Sequence, residues 1–400
     1  MIVLTTFDEA KDGFRSRDLR QSLYDEGIHL MHGVIVNLHG EPHIARRRLE
    51  NRLFRRDTFA WYERDRIPAL IEQVLRPALV AGVGDLPTLA RHTMLRLSVD
   101  VAGVDVPVEP SADRALDRLI ALMERLARAS TVAHAVGGKP VIIAAGDGAL
   151  EEFARDFYAA SLARRSALVA RLADGELDES ELPRDVLTTL LRNQDRLDLP
   201  PETMLREIAY FPWVGSHSTS AQLVHSMHHM FEWIDEHPNA REQLTDDDVL
   251  RQRFVHESMR LHPASPVALR VATVDIELKS GRRLPAGTAV VIDVESANRD
   301  PGVFGDDADR FDPSRTIADG VPRWGLSFGH GTHACLGQEL AGGLEPEAVA
   351  EHHLLGSVAL MAGEMLRAGA RRDPTEPPTL DTATTRTTWE RYPVKFERPT

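Results

Sequence analysis

The chain has 400 residues, of which 42% are hydrophobic and 27% are charged, a composition typical of globular proteins that bury a large core. Sixty-one acidic residues against 47 lysines and arginines give a formal charge of −14, which argues against nucleic-acid binding and against a polybasic membrane anchor. A single cysteine, Cys335, excludes intrachain disulfides and cysteine-cluster metal sites. Neither a signal peptide nor a membrane-length apolar run is recognisable. We therefore expect a cytoplasmic protein with neither nucleic-acid nor membrane partners.

Most of the chain has the apolar spacing of helices. In chain order, this spacing predicts helices over residues 43–80, 111–133, 149–173, 201–237, 246–262 and 335–368. Pro238 and Pro263 follow two of these segments, where helices are expected to stop. Strand patterns are fewer and come late, at 267–278, 288–294 and 392–396. The pattern favours a mostly helical α+β fold with a small β-rich region, in a single domain spanning residues 1–400.

The cysteine lies in a loop that also contains Gly329 and Gly331. Because glycine lacks a Cβ and adopts positive φ, this backbone can lie close against a flat group. An apolar helical run follows Cys335, and a helix N-terminus stabilises a thiolate. A thiolate held in this way is what an axial haem ligand requires.

The whole loop resembles the haem-binding loop of the cytochrome P450 family. The matching residues are Phe328, Gly329, Gly331, His333, Cys335 and Gly337. The resemblance implies a cytochrome P450-like fold and a haem b cofactor, with Cys335 as the iron ligand and Phe328, Gly329, His333 and Gly337 as further cofactor-binding residues.

Two other interpretations of the loop are weaker. A buried structural cysteine is the ordinary role of an isolated cysteine, but that role does not require the surrounding pattern. Gly329-x-Gly331-x-x-Ala334 also matches a loose dinucleotide fingerprint. Such a fingerprint needs a preceding apolar strand within a βαβ unit, and residues 323–327 lack a strand pattern.

A second motif supports the resemblance. Glu257 and Arg260 are three residues apart in a predicted helix, so they share one face and can pair. The ordinary interpretation is a surface ion pair of little energetic value. In the P450 family, a Glu-x-x-Arg pair is buried and is joined by an arginine from a later Phe-x-Pro-x-Arg segment, here Phe311 to Arg315. The resemblance thus implies a structural network of Glu257, Arg260 and Arg315.

Basic residues that would hold the haem propionates follow from the same resemblance. His43-x-x-x-Arg47 is similar to a His-x-x-x-Arg pair of the family, and Arg270 lies where the family often has a propionate ligand. With His333, these residues form a chemically sensible clamp for anionic propionates. Only 42 residues precede His43. We therefore expect a shortened N-terminal region, with its strands and first helix reduced or absent.

The predicted helix at 201–237 departs from the family pattern. Where the family usually has a small residue, an acid and then a threonine, this chain has Gly215, Ser216, His217, Ser218 and Thr219 in succession. Thr219 keeps the alcohol that can hold a water, whereas Ser218 replaces the carboxylate. Cleavage of dioxygen needs protons delivered through positioned groups, so Thr219, Ser218 and His217 are the candidate catalytic residues on this side. His217 is a candidate proton carrier.

Histidines follow on the same helix. His225 and His229 have the i, i+4 spacing of metal ligands. No third ligand is evident in the sequence, so we interpret these residues and His228 as packing or surface histidines.

The resemblance implies a monooxygenase that inserts oxygen into a small organic substrate, using O2 and two electrons from separate partners, a ferredoxin and its reductase. The altered distal helix keeps two alternatives open. One is peroxide use or an atypical rearrangement or coupling, and the other is a non-catalytic haem-binding sensor. The residues that we expect to face the substrate are Gly215, Val267, Ala268, Leu269, Thr387 and Thr388.

Overall fold

The structure is a computed structural model that describes residues 1–106, 112–197, 199–345 and 353–396. Helices predominate in this part of the chain. They are α1 (Phe7–Arg15), α2 (Ile28–Met31), α3 (Glu41–Glu50), α4 (Arg56–Trp61), α5 (Ile67–Ala81), α6 (Leu86–Ala102), α7 (Ala112–Ser130), α8 (Lys139–Phe153), α9 (Ala159–Ala173), α10 (Val186–Leu191), α11 (Pro201–Glu236), α12 (Ala240–Asp246), α13 (Asp248–Leu261), α14 (Val294–Ala297), α15 (Pro301–Phe304), α16 (Gln338–Gly342) and α17 (Ser357–Arg367).

The strands are short and belong to four small sheets. They are β1 (Ile2–Leu4), β2 (Leu19–Gln21), β3 (Val83–Asp85), β4 (Val267–Ala272), β5 (Ile276–Glu277), β6 (Arg283–Leu284), β7 (Ala289–Asp293), β8 (Arg371–Arg372), β9 (Thr379–Leu380), β10 (Trp389–Arg391) and β11 (Pro393–Lys395). The four-stranded sheet has the order β1-β7-β4-β2, the three-stranded sheet the order β3-β11-β8, and β9 with β10 and β5 with β6 form two-stranded sheets. This is the mostly helical α+β fold that the sequence predicts.

The chain divides into two compact units. The first unit contains residues 1–22, 56–90 and 218–400, and the second contains residues 23–55 and 91–217. Helices α6 and α11 contribute residues to both units. The single domain over residues 1–400 stays a prediction.

The four-stranded sheet forms part of the core of the first unit. β1 runs parallel to β7, with Leu4 opposite Ile292, and β4 runs antiparallel to β7 and to β2. Alternate residues of β7 are buried, as expected for a strand with one face on the core. Helix α1 packs here through Gly13, where a Cβ would lie 2.9 Å from Leu4 Cδ1. A larger residue at position 13 would therefore push the helix away from the sheet.

The expectation for the N-terminal region needs correction. Two strands and a nine-residue helix, β1, β2 and α1, precede His43, so these elements are present. The predicted helix at 43–80 is interrupted after Glu50, and α4 begins at Arg56. The predicted helix at 335–368 begins at Gln338 and breaks at Gly342, and its residues 346–352 lie outside the described part of the chain.

Helices α7 and α8 pack against each other in the second unit. The apolar face of α7 is buried through Leu119 and Leu122. A Cβ at Gly146 of α8 would lie 2.2 Å from Ala129 Cβ, so glycine permits the close approach of the two helices. Helix α8 begins at Lys139, ten residues before the predicted start at 149. The stretch was missed because Gly146 and Gly148 oppose helix formation in isolation, and the contact with α7 compensates.

Among the described residues, no helix combines the length with the apolar character that crossing a membrane requires.

Candidate active site

The loop around Cys335 is organised by backbone hydrogen bonds and positive-φ glycines. The Cys335 N–H donates to the Phe328 carbonyl over 2.9 Å. Gly329 and Gly331 have φ of 66° and 72°, values that favour glycine. A Cβ on Gly331 would lie 2.6 Å from the Phe14 carbonyl oxygen, so α1 also limits this position to glycine. The loop thereby holds the Cys335 side chain on its exposed side.

One expectation about this loop is corrected. The sequence predicted that Cys335 opens a helix, but α16 begins three residues later, at Gln338, and has five residues. Because a helix dipole acts within the first turn and grows with helix length, α16 contributes little to stabilising a thiolate.

The loop fits a haem bound through Cys335. Cys335 is exposed. Among the described residues, leaving out the chain neighbours of each glycine, nothing lies within 4 Å of a Cβ built on Gly337, and the nearest atom to one built on Gly329 is 3.7 Å away. This glycine-lined side therefore leaves room for a flat group. Phe328 is half-buried behind it and makes an edge-to-face contact with Trp324, with ring centroids 5.5 Å apart. His333 is half-buried, in the turn just before the cysteine.

A buried ion network lies in the same unit. Arg260 makes a bidentate pair with Glu257, at 2.8 Å and 2.7 Å. Arg315 donates to Glu257 Oε1 over 3.3 Å, and the Asp312 N–H donates to the same oxygen over 3.1 Å. The three charged side chains are at most 5% exposed. Both arginines also donate to backbone carbonyls, for example Arg260 to the Asn298 carbonyl over 2.6 Å, so this carboxylate and its partners are extensively hydrogen-bonded.

Asn298 connects this network to the segment before the cysteine loop. Its Nδ2 donates to the Arg260 carbonyl and to Ser327 Oγ, each over 2.9 Å, and its Oδ1 accepts from the Leu326 N–H over 2.7 Å. A Cβ on Gly325 would collide with the Asn298 side chain. No role was assigned to Asn298 from the sequence. The only sequence signal for a buried amide at this position was the Glu-x-x-Arg pair on the neighbouring helix.

The predicted propionate clamp is distributed over both units. In the second unit, His43 is buried on α3 and Arg47 is half-buried, with its Nε donating to Asn51 Oδ1 over 3.0 Å. Burial, and then the nearby Arg47, lower the pKa of His43 to about 4, so its ring is neutral. In the first unit, Arg270 is buried, hydrogen-bonded to Gln21 and placed over the Phe14 ring. The clamp stays a prediction.

Helix α11 continues without a break through Pro212. Around this proline, Ser216 Oγ donates to the Pro212 carbonyl over 2.6 Å, and His217 Nδ1 donates to the Trp213 carbonyl over 3.0 Å. Gly215 is a close-packing position, because a Cβ there would lie 2.6 Å from Ser98 Oγ. His217 is therefore engaged with its own helix rather than free to rotate.

The remaining distal candidates lie in the first unit. Ser218 is exposed and Thr219 is half-buried. Val267, Ala268 and Leu269 are half-buried residues of β4. Thr387 and Thr388 belong to the turn between β9 and β10. The Thr388 carbonyl accepts from the Asp381 N–H over 2.9 Å, which closes that turn.

The histidines of α11 are more deeply buried than a surface interpretation suggests. His225 Nε2 donates to the Thr387 carbonyl over 2.9 Å, and His229 Nε2 lies 3.0 Å from Nε2 of His262. Within the described ranges, no group of three or more histidine, cysteine, aspartate or glutamate side chains is arranged to hold a metal ion.

Comparison with known proteins identifies sequence relatives. The family model of cytochrome P450 matches residues 173–343. Cyclooctat-9-en-7-ol 5-monooxygenase of Streptomyces melanosporofaciens is 31% identical over 186 residues, which cover 39% of this chain and 38% of that protein. Luteothin monooxygenase of Streptomyces thioluteus is 34% identical over 186 residues, which cover 46% of this chain and 38% of that protein. The sequence match thus spans less than two fifths of each of these relatives.

Solved structures match over almost the whole chain. CalO2 superposes with a TM-score of 0.74 at 21% identity, covering 99% of this chain and 90% of that one. P450BioI, solved in complex with a hexadec-9Z-enoic acid ligated acyl carrier protein, superposes with a TM-score of 0.73 at 19% identity. This superposition covers 99% of this chain and 92% of that one. At this identity, the superpositions establish the fold. The part of the chain that matches the cytochrome P450 family model, residues 173–343, includes the Glu-x-x-Arg and cysteine-loop motifs, and the whole described chain shares the fold of these solved structures.

Proposed function

We propose that this chain is a haem-thiolate monooxygenase that inserts one oxygen atom of O2 into a small organic substrate. The observation that carries the proposal is the exposed thiol of Cys335 on a glycine-lined loop. We further propose haem b as the cofactor, a cytoplasmic location, and a ferredoxin with its reductase as electron donors.

In this proposal a bound haem would supply the oxygen chemistry, and electron donation from the thiolate would favour cleavage of the O–O bond. The chain supplies position and protons. Cys335 would ligate the iron, and the hydrogen bond from its N–H to the Phe328 carbonyl fixes the loop. The Glu257 network and Asn298 hold the preceding segment in place. His43, Arg47 and Arg270 are the groups that would bind the propionates.

Thr219 is the proposed proton-positioning group on the distal side. Its hydroxyl can hold a water, whereas Ser218 supplies no negative charge. The substrate would therefore complete the proton path with its own hydroxyl or carboxylate. The same absence of an acid at 218 favours a second candidate function, in which the chain uses peroxide and needs no separate proton delivery.

The central test is the absorption spectrum of the purified protein, reduced and bound to CO. The wild type is expected to show the red-shifted Soret band of thiolate ligation. Cys335→Ala is expected to lose this band, because no other thiol is present in the chain. Haem content, measured as the pyridine complex, separates loss of the ligand from loss of the haem.

Turnover assays then distinguish the two candidate functions. Product formation with NADH, ferredoxin and reductase supports the monooxygenase, whereas product formation with hydrogen peroxide alone supports the second candidate. A Cys335→Ala protein that keeps the red-shifted band would overturn both.

A further inference from the structure

Four histidines of the first unit form a cluster that the proposed chemistry does not use. His225, His228 and His229 lie on α11, and His262 directly follows α13. The rings of His225 and His262 are stacked, with centroids 4.4 Å apart and planes 4° apart, and His229 stacks on His262 at 5.1 Å. We call these four residues the imidazole cluster. Its rings bring the end of α13 against the second half of α11.

Hydrogen bonds connect the cluster to two segments outside the helices. A carbonyl oxygen only accepts, so the 2.9 Å contact with Thr387 requires that His225 carry its proton on Nε2. Gln222 on the same helix donates to the His262 carbonyl, and the chain reaches β4 five residues later, at Val267. Thus α11 holds both the turn between β9 and β10 and the segment that leads into β4.

Glu232 lies beside two rings of the cluster and favours the tautomers whose N–H groups face it. Its carboxylate lies 3.4 Å from His228 Nε2 and 3.8 Å from His229 Nδ1, so it favours an N–H at both positions. His228 Nδ1 then accepts from the Tyr392 hydroxyl over 2.9 Å. His229 Nε2 likewise accepts, and His262 Nε2 donates to it over 3.0 Å. Each of these rings therefore has one donor and one acceptor.

The cluster is electrically neutral. Burial lowers the pKa of His225 and His228 to about 4, of His229 to about 3 and of His262 to about 2. Burial also raises the pKa of Tyr392, so this hydroxyl keeps its proton. Neutral rings preserve the donor and acceptor pattern, whereas a protonated His229 and His262 would present two donors to each other.

We infer that His225, His229 and His262 are positioning residues that hold the turn around Thr387 and the segment leading to Val267 against α11, and so determine which substrates fit. The inference rests on the proposed function, because it takes both segments to face the substrate. Thr219 lies six residues before His225 on the same helix, about 9 Å along its axis. The proposed proton-positioning residue and the first histidine of the imidazole cluster thus lie within two turns of each other on one helix.

The test uses the haem-loaded full chain and two azole probes that bind haem iron and differ in size, imidazole and 4-phenylimidazole. In His225→Leu the Thr387 carbonyl loses its donor, and a hydrogen bond of ordinary net strength corresponds to about a fivefold change in affinity. We expect 4-phenylimidazole to bind about fivefold more weakly and imidazole to bind as in the wild type. His225→Gln, which retains a donor at a similar reach, should restore the affinity for the larger probe.

The control is His237→Leu, which should change neither affinity. His237 is an exposed histidine directly after α11 that stacks on Trp233. The positioning role would be overturned if His225→Leu bound both probes equally more weakly than the wild type, or if His225→Gln failed to restore the affinity for 4-phenylimidazole. Either result would indicate general structural damage. Wild-type affinity of His225→Leu for both probes would also overturn it. If the wild type shows neither the red-shifted CO band nor azole binding, the proposed function itself fails.

Discussion

Glu257 and Glu50 are both buried carboxyl groups at helix positions, but their surroundings differ. In the first unit, Glu257 accepts from two arginines and a backbone N–H. In the second unit, Glu50 is fully buried and neither of its oxygens has a hydrogen-bond partner among the described residues. Glu50 belongs to a second cluster of charged residues together with Glu207 and Arg46. In this cluster, Glu207 pairs with Arg46 over 2.8 Å.

The two clusters therefore reach neutrality by different means. Around Glu257, two guanidinium groups and several carbonyls replace the lost hydration of the charges. Around Glu207 there are two carboxyl groups for one arginine, so a proton must compensate. Burial, followed by the charge of Glu207, raises the pKa of Glu50 well above its usual range, and burial raises the pKa of Glu207 to about 7 despite Arg46. Glu257 thus takes part in a charged structural network, whereas burial holds Glu50 in its protonated form.

The largest effect is expected for Glu257→Gln. Removing this charge leaves Arg260 buried without its carboxylate and Arg315 paired with Asp307 only, which costs about 3–5 kcal/mol of folding free energy. Urea unfolding followed by circular dichroism measures this loss, and haem occupancy should fall with it. The matched control is Glu295→Gln, because Glu295 pairs with Arg299 near the surface and should contribute less than about 1 kcal/mol. Equal stability of the two variants would contradict a structural role for the network.

A smaller effect is expected for Arg46→Leu. Glu207 can respond by binding a proton, so the cost stays near that of unsatisfied hydrogen bonds, about 1–3 kcal/mol. The loss should be greater at pH 8 than at pH 5, since Glu207 is protonated at pH 5 with or without Arg46. Unfolding at both pH values measures the difference. Arg48→Leu, an exposed arginine on the same helix, is the control, and a loss independent of pH would show that packing alone is responsible.

Glu50→Gln should have almost no effect at low pH, because the amide replaces a carboxyl group that is already neutral. The sign at higher pH follows from the raised pKa. The folded state holds this proton more tightly than the unfolded state, so the stabilisation is complete below the ordinary pKa of 4.5 and is lost as the pH rises towards the folded-state pKa.

Between the ordinary and the folded-state pKa of Glu50, the wild type loses about 1.4 kcal/mol of folding free energy for each pH unit. The glutamine variant should therefore become more stable than the wild type as the pH rises from 5 to 8. Thermal unfolding at several pH values measures the crossover, with Glu41→Gln at the exposed start of the same helix as the control. Parallel curves for wild type and variant would show that Glu50 is ionised in the folded protein.

The first of these clusters could be predicted from the sequence and the second could not. Glu257 and Arg260 are three residues apart on one helix, and Arg315 follows in a recognisable segment, so local spacing and a family pattern indicate their association. Arg46 and Glu207 are 161 positions apart, and a run of three arginines does not show which one is buried. Periodicity places residues on faces of helices, but it does not determine which faces meet.

The same limit applies to the active site. Gly329, Gly331 and Cys335 lie within seven consecutive residues, so the loop follows from local chemistry. The contact between His225 and the Thr387 carbonyl joins residues 162 positions apart through a backbone atom, and no side-chain pattern encodes a backbone acceptor. The sequence also placed a helix start at Cys335 because an apolar run follows it, whereas Gly337 delays the helix to Gln338.

The smallest effect on stability is expected for Ser218→Asp. This substitution places a carboxylate at an exposed position, whereas the carboxyl group of Glu50 is buried. Surface substitutions usually change folding free energy by less than about 0.5 kcal/mol, so unfolding should differ little from the wild type. The functional effect should be larger. A carboxylate beside an apolar or anionic substrate becomes costly once the substrate excludes water. The substrate, identified by a spectral-shift screen, should therefore bind more weakly.

Ser218→Asn is the matched control, since it has nearly the size of aspartate without the charge, and it should leave substrate affinity close to that of the wild type. Product formed per NADH consumed separates the two explanations of the altered helix. If Ser218 is a simple loss of the family acid, the aspartate variant will form more product per NADH at unchanged affinity. We expect the opposite, because Pro212, Ser216 and Ser218 depart from the family pattern together, and a segment rebuilt around a substrate-supplied proton gains nothing from a restored acid.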